Sequence, residues 1–154
     1  MTRMPHPVFT LVAAAWALPY LASKIEHALH GRLGVHGGPT VTAGDIDHYG
    51  GPAQIAAAQW GNTAVGAAIV LITLLPLLPI TRSWNRWVRT APLVMAGAMV
   101  LGMAVLFLVR VLAGDGGTSF TVYLFVWAGL LGLTIRSGLT RQQPRAGAIA
   151  QLSD

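Results

Sequence analysis

Four apolar runs separated by polar or glycine-rich breaks organise the chain, at residues 8–27, 53–78, 91–113 and 118–135. A helix needs about 20 apolar residues to cross the hydrocarbon core, and even the shortest run falls within the tolerated range. The pattern predicts an all-α protein: a four-transmembrane-helix up-down bundle over residues 1–136, followed by a loosely ordered polar tail at 137–154. Pro5 and Pro7 suit the entry to the first helix, and Pro19 inside it predicts a kink. Pro76 and Pro79 end or bend the second run, whose first half carries Gln59, Asn62, Thr63 and Gly66 at spacings of three and four. Such a stripe favours a protein neighbour over lipid. The third run has Gly97 and Gly102 for close helix contact. Its Met95, Met99 and Met103 are expected to serve adaptable packing rather than copper transfer. The turn GDGG at Gly114–Gly117 leads tightly into the fourth run, where Tyr123 and Trp127 stand one turn apart.

The only long connection follows the first run. Between Gly31 and Pro52 it holds seven glycines and two prolines, with His36, Asp45, Asp47 and His48 among them, and reads as a surface loop. The connector TRSWNRWVRT mixes Arg82, Arg86 and Arg89 with Trp84 and Trp87, the composition of a headgroup-level anchor. Basic residues set the orientation. Arg3, Arg82, Arg86, Arg89, Arg136, Arg141 and Arg145 lie on one side of the spans, and only Lys24, Arg32 and Arg110 on the other. Seven against three places both termini in the cytoplasm, with the long first loop facing outward. The apolar stretch Val8–Ala22 that opens the first run is not read as a cleaved signal peptide, because Lys24, Glu26 and His27 follow it instead of a small-residue cleavage site.

The end of the first helix is where the apolar pattern changes. Tyr20, Ser23, Lys24, Glu26, His27 and His30 share one arc of the helical wheel, opposite Leu21, Ile25, Ala28 and Leu29. These charges either snorkel to the interface or turn toward a protein interior. By depth, Gln59 and Asn62, Arg110 and Tyr123 reach the same outer level, so a candidate polar pocket comprises Tyr20, Lys24, Glu26, His27, His30, Gln59, Asn62, Arg110 and Tyr123. Arg110, about a turn from the end of its span, calls for an acidic partner, Glu26 first and Asp115 second.

Composition sharpens this picture. With 54% hydrophobic residues, 10% charged residues and a mean hydropathy of +0.60, the 154-residue chain belongs in a membrane. It has no cysteine, which excludes disulfides, thiolate metal sites and a thiol redox cycle. The net charge of +5 comes from arginines beside spans, so anionic lipid and topology account for it better than nucleic acid. His27, His30, His36 and His48 are the available nitrogen ligands. They lack the spacing of a metal site, and the last three runs offer no histidine for haem, so no cofactor and no metal is expected. No nucleophile elbow or buried acid signals hydrolysis or ion transport.

Residues ALHGRLGVHGGP at Ala28–Pro39, with WALPY at Trp16–Tyr20 and QWGN at Gln59–Asn62, resemble small bacterial four-helix integral membrane proteins of uncharacterised activity. Length, span count and the polar end of the first helix are also similar to the DoxX-like four-helix proteins. Both resemblances imply a helical bundle in the bacterial inner membrane and neither assigns catalytic residues. The expectation is a non-enzymatic module that binds a small apolar or amphipathic molecule or packs in a larger membrane complex. The alternative is a small membrane enzyme using the outer polar and histidine cluster on a lipid, quinone or isoprenoid.

Overall fold

The computed structural model describes residues 6–140; Arg3, Arg141, Arg145 and most of the expected tail lie outside the described residues. Within them the chain is helical: α1 (His6–Trp16), α2 (Leu18–Leu29), α3 (Ala43–Tyr49), α4 (Pro52–Leu74), α5 (Arg86–Leu112) and α6 (Thr118–Thr140). Two 3-10 turns, Leu75–Leu77 and Pro79–Ser83, follow α4. Four stretches are long and apolar enough to cross a membrane: Pro7–Leu29, which joins α1 and α2, then Pro52–Leu77, Trp87–Leu112 and Thr118–Leu139. By length and composition this is a multi-pass membrane protein.

Local chemistry accounts for where the elements differ from the sequence reading. The α-helix of the second span stops at Leu74, just ahead of Pro76, and continues as 3-10 turns. The Asn85 side chain accepts the Trp87 N–H at 3.0 Å and caps α5, so Arg86, Trp87 and Arg89 belong to the helix rather than to a connector. Likewise, α6 runs through residues 137–140, which the sequence pattern assigns to the tail.

Pro19 breaks the first span as expected. It occupies the first turn of α2, where a missing N–H costs least, and the turn at Ala17 separates the two halves. The break redirects the chain: α1 packs chiefly on α6, whereas α2 packs on α4. Small residues allow these approaches, with Thr10 and Ala13 buried on α1, Ala17 buried at the break, and Ala96, Val100 and Ala104 on α5. Phe120, Leu124, Trp127 and Leu131 recur every three or four residues on α6 and fill the space between them. On α4 the buried stripe is Ile55, Gln59, Thr63, Gly66, Ile69 and Thr73. Asn62 is exposed and does not join it. Met95, Met99 and Met103 are also exposed, Met95 at 73%, so this stripe faces outward from the bundle instead of packing within it.

The long connection is more structured than a surface loop. Thr42 and Asp45 form a reciprocal capping box at the start of α3, and Gly50, with φ of 78°, ends it. Before α3, the glycine-rich block docks on α6. The Gly37 carbonyl accepts the Phe120 N–H at 3.2 Å and the Ser119 hydroxyl at 3.1 Å. Pro39 forms an antiparallel bridge with Gly116, and Thr40 N–H donates to the Asp115 carbonyl at 3.0 Å. Gly117 has φ of 84°, and a Cβ there would lie 2.7 Å from the Pro39 nitrogen, so no other residue fits.

Gly66 allows α2 to lie close on α4. A Cβ at this position would meet Leu21 Cδ2 and Tyr20 Cε1, each at 2.9 Å, whereas one at Gly102 would meet nothing within 4 Å. Gly66→Leu is therefore expected to lower stability by about 1–3 kcal/mol through overpacking. Gly102→Leu should stay within about 0.5 kcal/mol of the parent. Thermal unfolding of both variants in the same detergent checks the contrast.

Candidate functional site

The site begins with one buried positive charge. Lys24 projects from α2 and is only 9% exposed. Its ammonium donates to the Gly34 carbonyl at 2.9 Å and to Gln59 Oε1 at 3.0 Å, and lies 5.8 Å from the centre of the Tyr20 ring. Gln59, 1% exposed, uses its amide fully: Nε2 donates to the Arg32 and Gly34 carbonyls, both at 3.0 Å. Gly34 thus accepts two hydrogen bonds, one from each span. Among the described residues no carboxylate takes part, and neutral acceptors and an aromatic face compensate the charge. Lys24 turns inward instead of snorkelling, and the acceptors it finds belong to the glycine-rich block.

Around this latch the remaining groups of the α2 arc fall into two sets. Ser23 is buried, and its hydroxyl accepts the His36 backbone N–H at 2.8 Å. His27 Nδ1 lies 2.7 Å from the Ser23 carbonyl, which can only accept, so Nδ1 carries the proton. The His30 Nδ1 contact with the Glu26 carbonyl, at 2.8 Å, has the same sense. Glu26 and His30 are exposed. His36 brings Nε2 to 3.4 Å from Glu26 and meets the His27 ring edge-on at 5.1 Å. Among the described residues no group of three or more His, Asp and Glu side chains comes together in a way that could hold a metal.

Arg110 finds partners other than Glu26, the first choice of the sequence reading. Its Nε pairs with Asp115 at 3.1 Å, the second choice, and one terminal nitrogen lies 4.0 Å from Asp45. Glu26 is instead turned to His36 of the docked block. The Thr42 backbone N–H and hydroxyl, with Arg110 beyond them, hold the Asp45 carboxyl below the usual carboxylate range. Arg110 therefore anchors the α3 region and the α5–α6 turn and stands apart from the Lys24 latch. His48 contacts Tyr49 on α3 and is likewise separate.

The opening in this end of the bundle follows from the Pro19 break. α2 leans toward α4 and away from α6, leaving a cleft of about 240 Å³. Pro19, Tyr20 and Ser23 line one wall, Ser119, Phe120 and Tyr123 the other, and Val35 and His36 cover it from the loop. Tyr20 stacks on Phe120 with ring centres 6.2 Å apart and tilts against Trp127 at 5.9 Å. At the break, the Tyr123 hydroxyl donates to the Trp16 carbonyl, Trp16 Nε1 returns a bond to the Tyr123 carbonyl at 3.3 Å, and the two rings stack at 5.5 Å. Tyr20 and Tyr123 thus belong to the cleft. Lys24 and Gln59 form its polar support, His27 and Glu26 touch it through His36, and His30, Asn62 and Arg110 lie outside it.

The sequence reading missed Ser119, Phe120 and Val35 as lining residues. Ser23 was visible on the polar arc of the wheel, but nothing in the chain before folding indicates that the Gly34 block docks between α2 and α6. Comparison with protein-family models, curated proteins and solved structures yields no match to this chain.

The latch predicts unequal and coupled mutational effects. Gln59→Leu leaves the ammonium with one acceptor, the Gly34 carbonyl, and strips the Arg32 carbonyl of its Gln59 donor, and is expected to cost about 2–4 kcal/mol. Lys24→Met removes the charge itself and should cost less. The double variant should be less destabilised than Gln59→Leu alone or fall well short of additivity. Thermal unfolding of all four proteins in detergent measures the coupling; strict additivity would show that the two side chains act independently.

Proposed function

We propose that this protein is an up-down-up-down module of the bacterial cytoplasmic membrane that binds a small apolar or amphipathic molecule in the cleft without transforming it. Both termini lie inside and the glycine-rich loop outside. The cleft is the observation that carries this reading: an aromatic and aliphatic lining with a few polar groups is the usual makeup of a small-molecule site. Its size narrows the occupant. At about 240 Å³ it lies below the roughly 300–1,000 Å³ of sites for drug-sized ligands, so it takes one ring or a short chain segment, the rest extending into lipid. The strongest polar side chains nearby, Lys24 and Gln59, are already committed to one another and to the loop, which favours binding over catalysis.

One observation favours a second reading. His36 lines the cleft while paired with Glu26, an arrangement that suits acid–base chemistry on a lipid, quinone or isoprenoid. Packing in a larger membrane complex is a third role open to the exposed apolar faces.

Two experiments test the proposal. Reporter fusions at Gly44 should register outside and fusions after Arg141 inside; the reverse result overturns the orientation. After gentle purification, native mass spectrometry should detect a co-purifying apolar molecule at about one per chain, with occupancy reduced at least about tenfold when Val35→Trp fills the cleft. An empty protein, or equal occupancy in the variant, removes the binding role. Conversion of the bound molecule that is lost in His36→Gln while binding persists would establish the enzyme reading.

A further inference from the structure

The two ends of the bundle differ in charge. Every acid among the described residues, Glu26, Asp45, Asp47 and Asp115, stands at the end formed by the loop and the α5–α6 turn, and every ion pair described lies there too. At the opposite end the chain places Arg82, Arg86 and Arg89 within eight residues, with no acid nearby in sequence. Arg89 is half-buried in the first turns of α5, and its Nε is shut off from solvent with no hydrogen-bond acceptor among the described residues. A guanidinium carries a full positive charge and five N–H donors, and no acidic side chain is near it in sequence. Nε itself is closed off by the protein, but the side chain remains partly exposed, so an anion from outside the described chain can meet the guanidinium at its open edge.

The surroundings indicate which anion. Trp84 and Trp87 are 41% and 62% exposed, and indoles at the end of a span settle at headgroup level. Ile80 and Val88 beside them are exposed and apolar, a wall suited to acyl chains rather than to water. A free phosphate would use the guanidinium and leave this wall bare. We propose that the Arg89 end of α5 is a binding site for an anionic phospholipid, whose phosphate takes the guanidinium while its chains lie along Trp87 and Val88. The site is at the opposite end from the cleft and independent of what the cleft binds.

The test uses the intact protein in detergent micelles, titrated by native mass spectrometry with phosphatidylglycerol or phosphatidylcholine of identical chains, and with inorganic phosphate. Phosphatidylglycerol is expected to bind at least about fivefold more tightly than phosphatidylcholine, the equivalent of one surface arginine. Arg89→Gln should erase that preference, Arg89→Lys should retain part of it, and Arg32→Gln at the other end should leave it unchanged. No preference in the parent protein, or a preference intact in Arg89→Gln, overturns the site. Displacement of phosphatidylglycerol by millimolar inorganic phosphate shows a free-anion site and overturns the lipid assignment. If Arg89→Gln does not fold, the comparison of the two lipids and phosphate on the parent protein still decides the question.

Discussion

The buried ammonium of Lys24 is the constraint on which the loop end of this bundle depends. A lysine so near the apolar interior is tolerated only if acceptors replace the water it gives up. α2 and α4 alone supply one, the Gln59 amide oxygen, and the rest must come from the Gly34 carbonyl. Seating that carbonyl requires residues 31–38 to fold back across the bundle, and their left-handed glycines, Gly31, Gly34 and Gly37, make the path possible. Once seated, the block also delivers the Gly37 carbonyl to the start of α6, and Val35 and His36 to the roof of the cleft. A single desolvated charge thereby links helix packing, loop structure and the shape of the candidate site.

What the sequence disclosed was what periodicity and proline can encode. Four apolar runs are visible because each must satisfy the same hydrocarbon thickness, and Pro19 marks a break because its ring forbids a regular helix there. The α2 arc of Tyr20, Ser23 and Lys24 was legible for the same reason. Its partners were not. Which residue Arg110 meets depends on where a glycine-rich segment docks, and glycine carries little information about direction. Asn62 illustrates the opposite error: three residues from Gln59, it looks like part of one stripe, yet the buried line runs from Gln59 through Thr63 to Gly66 and leaves Asn62 outside. Ser119 and Phe120 become cleft residues only through the direction in which α2 leaves the break, a tertiary property without a local signature.

The break also divides the work of the first span. α1 supplies small residues that seat α6, whereas α2 supplies the polar groups that hold the loop and α4. A straight helix would present both sets in one line and close the space between α2 and α6. The Trp16–Tyr123 pair, which bonds in both directions across the break, fixes the angle at which the halves part. Aromatic rings suit this task, since they fill the widening gap and still satisfy backbone groups at its edge.

The capping of α6 by Gly37 has a consequence for the order in which the molecule is built. The donors that hold the block, Ser119 and Phe120, come 82 residues and more after the carbonyl that receives them. The lysine latch uses only the first two spans and the block between them, but the roof of the cleft has nothing to rest on until the last span is in place. A chain that lacks α6 therefore has no cleft, because one of its walls, Ser119, Phe120 and Tyr123, belongs to the final helix.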